Sequence, residues 1–194
     1  MLVLASQSPR RSQLLKQIGL APEVRPADID ESVVAGELPE VYVRRMAETK
    51  ARTIVKTLDL AKPAWVIAAD TSVVIDDEIL GKPTDLQDLK RMMQLLSGRQ
   101  HGVLTGICVT DEKGFCRTAV EATKVTFKTL DMEAVERYWH TGEPQDKAGG
   151  YGIQGLISHW VTQLEGCYFN VMGLPLARTV ALLSESGYQH EALL

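Results

Sequence analysis

The run AWVIAAD, residues 64–70, limits the possible folds more than any other stretch of the chain. It places six apolar residues in succession before an aspartate, and an uninterrupted apolar run of this kind is typical of a buried strand. A carboxylate is costly to bury unless it is paired or bound to a metal. Strand ends are also where α/β sheets place their chemistry. We therefore predict that Asp70 ends a buried strand and lies in a functional site.

The segments on either side of this strand alternate between helical and extended patterns. Apolar spacing, capping residues and glycine stops predict helices over 9–18, 39–58, 84–98, 131–144 and 174–187. A short strand is expected at 3–5, hairpins around Asp76-Asp77 and at DEKG (111–114), and a strand, a turn and a second strand over 159–173. This order predicts an α/β fold with a mixed sheet flanked by helices. The length of 194 residues suits one domain.

Charge and composition argue against several classes of protein. The formal net charge is −4, whereas broad nucleic-acid binding usually shows a basic stripe. The sequence has no apolar run of about 18 residues and no basic segment followed by an apolar stretch, so we expect neither a membrane span nor a signal peptide. The three cysteines, Cys108, Cys116 and Cys167, lack the spacing of a zinc or redox motif. We expect them to be reduced and packed, in a cytoplasmic protein.

The stretch LASQSPRRSQLL, residues 4–15, contains a candidate anion site. Ser8 suits the N-cap of a helix and Pro9 its first residue. Arg10 and Arg11 then fall in the first turn, where the helix dipole disfavours each cation by about 0.3–1 kcal/mol. Free backbone N–H groups together with two guanidinium groups would bind a phosphate and reverse that penalty. The alternative is a pair of solvated surface arginines.

Two lysines and an acidic segment are further candidates. Lys50 falls on the inward face of the helix predicted over 39–58, and Lys82 lies in LGKP, twelve residues beyond Asp70. The alternatives are that Lys50 extends to solvent and that Lys82 lies in an ordinary exposed turn. The segment DIDES, 28–32, supplies carboxylates of the kind that hard divalent cations prefer, although acidic loops are commonly plain surface.

The glycine-rich loop DKAGGYGIQG, residues 146–155, would allow its backbone to approach a ligand closely. Tyr151 and Gln154 would supply hydrogen bonds there. No full phosphate-binding or dinucleotide-binding fingerprint is present, so the loop alone is a weak signal. Taken together, four cations, Asp70 and an acidic loop are what a metal-assisted phosphoryl site needs, because cations must offset the charge of a nucleoside triphosphate.

These motifs together resemble the Maf-like nucleoside triphosphate pyrophosphatases. The matching stretches cover nearly the whole chain and are LASQSPRRSQLL, DIDES, AETKAR, AADTSVVIDDEILGKP, LSGRQHGVLTG, DKAGGYGIQG and NVMGLPL. The resemblance implies hydrolysis of a nucleoside triphosphate between the α and β phosphates, which gives the monophosphate and pyrophosphate. It also implies a single Maf-like domain over residues 1–194, a homodimer, and an elongated α/β fold with a deep central cleft, similar to that of the inosine triphosphate pyrophosphatases.

The resemblance extends to a subgroup. SPRR, AADT and GIQG are similar to the branch that prefers dTTP and UTP, and Arg10, Thr71 and Gln154 stand at the three positions tied to substrate choice. Modified uridine triphosphates are expected substrates as well. The implied cellular role is sanitation or control of the nucleotide pool.

The resemblance also implies roles for single residues. Asp70 would be the catalytic base, working with a divalent cation, Mg²⁺ or Mn²⁺. Glu31 of the acidic segment is our candidate for helping Asp70 to hold that metal. Thr71 and Gln154 would face the base of the nucleotide. The remaining candidates would bind the triphosphate, and they are Ser6, Arg10, Arg11, Lys50 and Lys82.

Two alternative functions remain open at this point. One is a nucleotide-binding regulator of cell division with little catalysis, although binding alone needs no base such as Asp70. The other is a pyrophosphatase that acts on a purine triphosphate such as ITP or 7-methyl-GTP, against which the AADT and GIQG contexts argue.

Overall fold

A computed structural model describes residues 1–59 and 63–189 and confirms the α/β fold with a mixed sheet flanked by helices. The strands are β1 Leu2–Leu4, β2 Glu23–Val24, β3 Trp65–Ile75, β4 Glu78–Leu80, β5 Gln100–Asp111, β6 Cys116–Phe127 and β7 Val161–Glu165. The helices are α1 Pro9–Gln17, α2 Pro39–Val55, α3 Leu86–Leu96, α4 Met132–Trp139, α5 Tyr168–Met172 and α6 Leu176–Glu185. Short 3-10 turns cover Glu143–Asp146, Ala148–Gly150 and Leu156–Trp160.

The sheet combines parallel and antiparallel pairing. Its order is β2-β1-β3-β5-β6-β7, and β4 pairs with the far end of β3. β1 is parallel to both β2 and β3, whereas β3, β5, β6 and β7 follow one another antiparallel. The hairpin between β3 and β4 turns at Asp76 and Asp77, both with positive φ, as a two-residue hairpin turn requires.

The two faces of the central strands pack against different helices. In β3, Ile67 and Ala69 belong to the apolar cluster that contains α1 and α6, whereas Val66 and Ala68 belong to the cluster that contains α2. This is the alternation that a strand covered on both sides requires, since successive side chains point to opposite faces. The same alternation assigns Asp70 to the α2 face and Thr71 to the α1 face.

Helix α2 lies directly on β5, and a glycine makes this possible. Gly106 pairs with Asp70 across the ladder, and a Cβ atom at Gly106 would overlap the backbone carbonyl of Val43 in α2. Because no side chain separates the helix from the sheet here, α2 approaches closely enough for the ammonium of Lys50 to reach Asp70. The predicted inward orientation of Lys50 is confirmed, since the residue is buried.

Asp70 does not end its strand, contrary to the prediction. β3 continues for five residues beyond it, to Ile75. In this part of the strand, β5 pairs antiparallel with one edge of β3 and β4 pairs antiparallel with the other edge. What ends near Asp70 is the neighbouring β1, whose last pairing is Leu4 with Ile67. The carboxylate is therefore placed where β3 loses its parallel neighbour, and this gap in the sheet opens into the cleft described below.

The expectation of strand, turn and strand over 159–173 is only half correct. Val161–Glu165 forms β7, but Tyr168–Met172 forms the short helix α5. Asn170 in this helix is buried, and its Nδ2 donates to Val103 O and Thr123 Oγ1, at 2.9 Å in each case. These distant contacts outweigh the local preference of the aromatic and β-branched residues for a strand.

The cysteines also differ from expectation. The β5–β6 hairpin pairs Cys108 with Thr118 and Thr110 with Cys116, so the two cysteines lie diagonally across the ladder with Cα atoms 6.3 Å apart. They form a disulfide, and that separation is within the usual range for one. Cys167 is a free, partly buried thiol.

In the two ranges that the structure describes, no helix is both long and apolar enough to cross a bilayer.

Candidate active site

A cleft of about 610 Å³ lies where β1 ends beside β3, and it contains every site residue predicted from the sequence. Its walls come from the start of α1, the acidic segment, α2, β3, the residues after β4 and the glycine-rich loop. This volume falls within the range of small-molecule sites. The predicted residues that line it are Ser6, Arg10, Arg11, Glu31, Lys50, Asp70, Thr71, Lys82 and Gln154.

Lys50 joins the two carboxylates at the floor of the cleft. Its Nζ atom lies 2.6 Å from Asp70 Oδ1 and 2.6 Å from Glu31 Oε1. The side chains of Lys50 and Asp70 are only 10% and 12% exposed, whereas that of Glu31 is 48% exposed. Burial alone would raise the pKa of the Glu31 carboxyl, but Lys50, with smaller effects from Lys82 and Arg11, holds that pKa below its usual value.

The acidic segment is fixed from below by α2. Tyr42 donates its hydroxyl hydrogen to the backbone carbonyl of Glu31 at 2.9 Å, and Arg45 Nη2 donates to the carbonyl of Ser32 at 3.0 Å. Burial raises the pKa of the Tyr42 hydroxyl, and the negative charges of Asp70 and Glu31 add to that rise, so the group stays a donor. These contacts keep the Glu31 carboxylate beside Lys50.

Arg11 serves mainly as a buried connector. Its Nε donates to the carbonyl of Gly173 at 2.8 Å, Nη1 to Ser6 Oγ at 3.1 Å and Nη2 to Thr71 Oγ1 at 3.1 Å. Burial lowers the pKa of this guanidinium, and the charge of Asp70 partly opposes that effect. Among residues 1–59 and 63–189, three of the five N–H groups of the side chain find partners, which leaves two for a ligand.

The start of α1 faces the cleft as predicted. Ser8 is the N-cap residue and Pro9 the first helical residue, but the Ser8 side chain makes no capping hydrogen bond, and its backbone N–H donates to Ser6 Oγ at 3.1 Å. Arg10 Nη1 reaches across the mouth of the cleft to Asp146 Oδ2 at 3.4 Å. This contact connects α1 to the glycine-rich loop, so an anion that enters here would compete with Asp146 for Arg10.

The proposed base-contacting residues have unequal surroundings. Thr71 Oγ1 accepts from Arg11 and lies 2.9 Å from Thr105 Oγ1, so its hydroxyl is held in a network. Gln154 is exposed in the glycine-rich loop. Tyr151 also borders the cleft, but its hydroxyl lies 2.6 Å from His101 Nε2 in the buried interior. The hydroxyl of Tyr151, which the sequence suggested as a hydrogen-bonding group for a ligand, is thus engaged with His101.

Sequence reasoning did not single out Tyr42, and it named Asp28, Asp146 and Lys147 only as members of the acidic segment and of the glycine-rich loop, although all of them line the cleft. Lys147 Nζ donates to Asp146 Oδ1 at 2.7 Å and to the carbonyl of Glu143 at 2.5 Å. Burial would raise the pKa of Asp146, but Lys147 and Arg10 hold it below its usual value. The available signal was the Asp-Lys pair that opens the glycine-rich loop.

The charges of the cleft fit a divalent cation that arrives with its substrate. Of the residues that the structure describes, five basic side chains and four carboxylates line the cleft, so these groups give it little net positive charge to offset the roughly four negative charges of a triphosphate. Mg²⁺ is usually bound by one or two carboxylates together with substrate phosphates. Glu31 and Asp70, which already share one cation in Lys50, meet that requirement. Within the described residues, no group of three or more potential metal ligands forms a complete protein cage.

Comparisons with known proteins find relatives that match nearly the whole chain. The family model described as Maf-like protein matches residues 1–186. A dTTP/UTP pyrophosphatase of Pseudoalteromonas atlantica is 46% identical over 192 residues, which are 98% of this chain and 100% of that protein. A dTTP/UTP pyrophosphatase of Anaeromyxobacter dehalogenans is 50% identical over 190 residues, covering 96% of this chain and 94% of its own length.

Among solved structures, a nucleoside-triphosphatase / dITP/XTP pyrophosphatase from Mycobacterium abscessus aligns with 73% of this chain and 93% of its own. The sequence identity is 16% and the TM-score is 0.44. A similarity of this degree supports no inference about the site.

Proposed function

The chain belongs to the Maf-like protein family, as its motifs predict, and we propose that it hydrolyses dTTP and UTP to the monophosphate and pyrophosphate. Modified uridine triphosphates are included in this proposal, and the role is sanitation of the nucleotide pool. The observation that carries the proposal is the grouping of Asp70, Glu31 and five basic side chains in one cleft large enough for a nucleotide.

Asp70 is the proposed general base. A water molecule attacks the α phosphorus, the bond from that phosphorus to the bridging oxygen breaks, and pyrophosphate leaves with the bond electrons. Asp70 accepts the proton of the water, a task for which its fixed and largely buried carboxylate is suited. Lys50 keeps the carboxylate in place and, with its remaining N–H group, favours the negative charge that develops on the phosphates.

The other cations bind the triphosphate at the sides of the cleft. Arg10, Lys82 and Lys147 approach it from three separate elements, and Arg11 contributes its two unused N–H groups. Ser6 and the backbone N–H groups at the start of α1 add contacts to phosphate oxygens. This arrangement holds the leaving pyrophosphate in line with the attacking water.

A divalent cation, Mg²⁺ or Mn²⁺, is part of the proposal, with Glu31 and Asp70 as its protein ligands. When bound, it would supply positive charge to the phosphates and acidify a coordinated water. Thr71 and Gln154 are the proposed contacts of the nucleotide base. A polar edge of a base is selected by matched hydrogen bonds, because a mismatch leaves buried polar groups unpaired.

The deciding experiment is a panel of all common nucleoside triphosphates assayed with Mg²⁺ or Mn²⁺. Phosphate is measured after addition of inorganic pyrophosphatase, and the same reactions are repeated with a chelator. We expect turnover with dTTP and UTP, dependence on both the metal and the coupling enzyme, and little turnover with purine nucleotides. Preferred hydrolysis of ITP or 7-methyl-GTP would replace the proposed substrate. Tight binding without turnover would favour a nucleotide-binding regulator.

The assembly and location of the protein belong to the same proposal. We propose one domain over residues 1–194, a homodimer and a cytoplasmic location, where nucleoside triphosphates are used. Light scattering on the purified protein and fractionation of cells test the two statements separately.

A further inference from the structure

One carboxylate outside the cleft holds the loop that carries Gln154. Glu143 follows α4, and its Oε2 accepts a hydrogen bond from the backbone N–H of Leu156 at 3.1 Å. Its Oε1 accepts from the hydroxyl of Tyr138 at 3.1 Å, so the carboxylate is itself fixed by α4. Glu143 does not line the cleft. It therefore contacts the backbone just beyond Gln154 without reaching the space where a nucleotide would bind.

The residue between Gln154 and Leu156 is shaped for this contact. A Cβ atom at Gly155 would overlap Oε1 of Glu143, so the carboxylate fills the space that a side chain would occupy. The N–H of Gly155 donates to the carbonyl of Gly152 at 2.9 Å, which closes a tight turn. Gln154 stands in this turn, and Glu143 holds the turn at its C-terminal end.

Gln154 is held through its backbone and not through its side chain. Among the residues that the structure describes, no hydrogen bond holds the exposed side chain of Gln154. A freely rotating amide selects poorly, because its rotation must be frozen when it binds the base. What the protein fixes is the backbone turn that contains Gln154, and Glu143 contacts the end of that turn at Leu156.

We propose that Glu143 is a positioning residue for base selection, which acts through Gln154 and does not contact the nucleotide. This inference rests on the proposed function, since it assigns to Glu143 the control of substrate choice in the same cleft. The backbone carbonyl of Glu143 separately accepts from Lys147 Nζ at 2.5 Å, on the phosphate side of the loop. A change of the side chain leaves that carbonyl in place, so base selection and triphosphate binding are separable by mutation.

Glu143→Ala and Gly155→Ala are the informative variants. The first removes the acceptor for Leu156, and the second displaces the carboxylate while keeping it in the sequence. Glu143→Gln should restore the wild-type behaviour, because its amide oxygen still accepts from Leu156 while its NH₂ group donates to Tyr138. Gln145→Ala is the matched control, since Gln145 is exposed on the same 3-10 turn and does not line the cleft.

The first readout is the ratio of kcat/KM for UTP over CTP, which differ in the polar edge of the base. We expect this ratio to fall at least about tenfold in Glu143→Ala and Gly155→Ala and to stay near the wild-type value in Glu143→Gln and Gln145→Ala. The second readout is inhibition by inorganic tripolyphosphate, which has no base. Its inhibition constant should change less than about twofold in all four variants, because the triphosphate contacts are untouched.

A third readout connects the two residues. In a Gln154→Ala background, Glu143→Ala should have no further effect on the ratio, because the group through which Glu143 acts is already absent. Additive effects would overturn the inference. An unchanged ratio in both single variants, a parallel loss of tripolyphosphate inhibition, or a wild-type enzyme that does not distinguish UTP from CTP would also overturn it.

The same preference is measured in binding by calorimetry with both nucleotides. A wild-type protein that binds UTP over CTP but turns over neither would overturn the proposed function and still leave the effect of Glu143 measurable. Thermal unfolding of each variant identifies a global loss of fold, in which case Gly155→Ala, with an intact Glu143, decides the result.

Discussion

Lys50 Nζ lies 2.6 Å from Asp70 Oδ1 at a point that α2 reaches only because Gly106 leaves no side chain between helix and sheet. The pair is largely buried, so its members depend on each other. Removing one partner of a buried ion pair typically costs about 3–5 kcal/mol, because the other charge is left uncompensated. Here Glu31 also pairs with the ammonium of Lys50, so Lys50 keeps one carboxylate partner when Asp70 is changed.

Asp70→Asn is expected to lower turnover by about 10²–10⁴-fold, the usual contribution of a general base, while nucleotide binding remains measurable. The amide oxygen still accepts from Lys50, so the protein should stay folded. Pyrophosphate release and calorimetric binding measure the two effects. Asp76→Asn, in the exposed hairpin turn, is the control and should keep its activity. Full turnover of Asp70→Asn would remove Asp70 from the chemistry.

Lys50→Gln should leave Glu31 and Asp70 facing each other without their shared cation. We expect a loss of about 3–5 kcal/mol in the free energy of unfolding, partly restored by Mn²⁺, because a divalent cation can then neutralise both carboxylates. Chemical denaturation with and without Mn²⁺ checks this. Lys90→Gln removes an exposed ion pair to Glu136. This control should neither lose a comparable free energy of unfolding nor be stabilised by Mn²⁺. An Mn²⁺ effect of equal size in the wild type would contradict the prediction.

Glu31→Gln should change how stability depends on acidity. The pKa of Glu31 is lowered in the folded protein, so its stabilising effect is complete above the unfolded value of 4.5 and disappears as the pH falls through the lower folded value. The wild type should therefore be more stable than the variant at pH 6, and the two should converge as the pH falls through the lowered pKa of the folded protein. Unfolding curves over this pH range test it. Glu185→Gln, which changes an exposed carboxylate, is the control and should not show this pH-dependent difference in stability from the wild type.

Arg11→Lys is expected to destabilise the fold more than Arg10→Lys. Lysine keeps the charge but cannot reproduce the planar set of donors that connects Gly173, Ser6 and Thr71, and a hydrogen bond to a charged group contributes about 1.5–3 kcal/mol. The Arg10–Asp146 contact is long and half-exposed, so its loss should cost less than about 1 kcal/mol. Urea denaturation compares the two. Equal losses would mean that Arg11 is not the connector described above.

Gln154→Ala should alter the choice of base more than it alters folding. Gln154 is exposed, so the midpoint of thermal unfolding of the variant protein should stay close to that of the wild type. The discrimination between UTP and other nucleotides should weaken by about tenfold or more if the amide pairs with the base. Arg10 variants are expected to change the same preference. Gln163→Ala, on the exposed face of β7, serves as the control. A uniform loss for every nucleotide would argue against a role in selection.

Local patterns predicted the elements whose burial repeats with a regular period. α2, α3 and the hairpins were found where their apolar spacing, caps and turn residues indicated. The end of β3 was misjudged because the change at Asp70 marks the end of its neighbour β1, a fact that the sequence of β3 does not contain. α5 was misjudged because Asn170 owes its place to Val103 and Thr123, far away in the chain.

The site shows the same division. Residue type and spacing brought together the predicted residues that line the cleft, since each was unusual for its local surroundings. The connecting role of Arg11 depends on Gly173, 162 positions away, and that of Glu143 on Leu156 across a loop. Such roles follow from the folded backbone, and no short motif records them.

Because successive side chains of β3 point to opposite faces of the sheet, the arrangement of the cleft depends on the number of residues that precede Asp70 in the strand. Asp70 meets Lys50 on one side of the sheet, while the next residue, Thr71, meets Arg11 on the other. Deleting one amino acid between 65 and 69 would present the carboxylate to the arginine side and the threonine to the lysine side. Substitutions in this stretch should thus be tolerated where the new side chain fits the packing. A change in the number of residues there would exchange the partners of Asp70 and Thr71 and abolish activity.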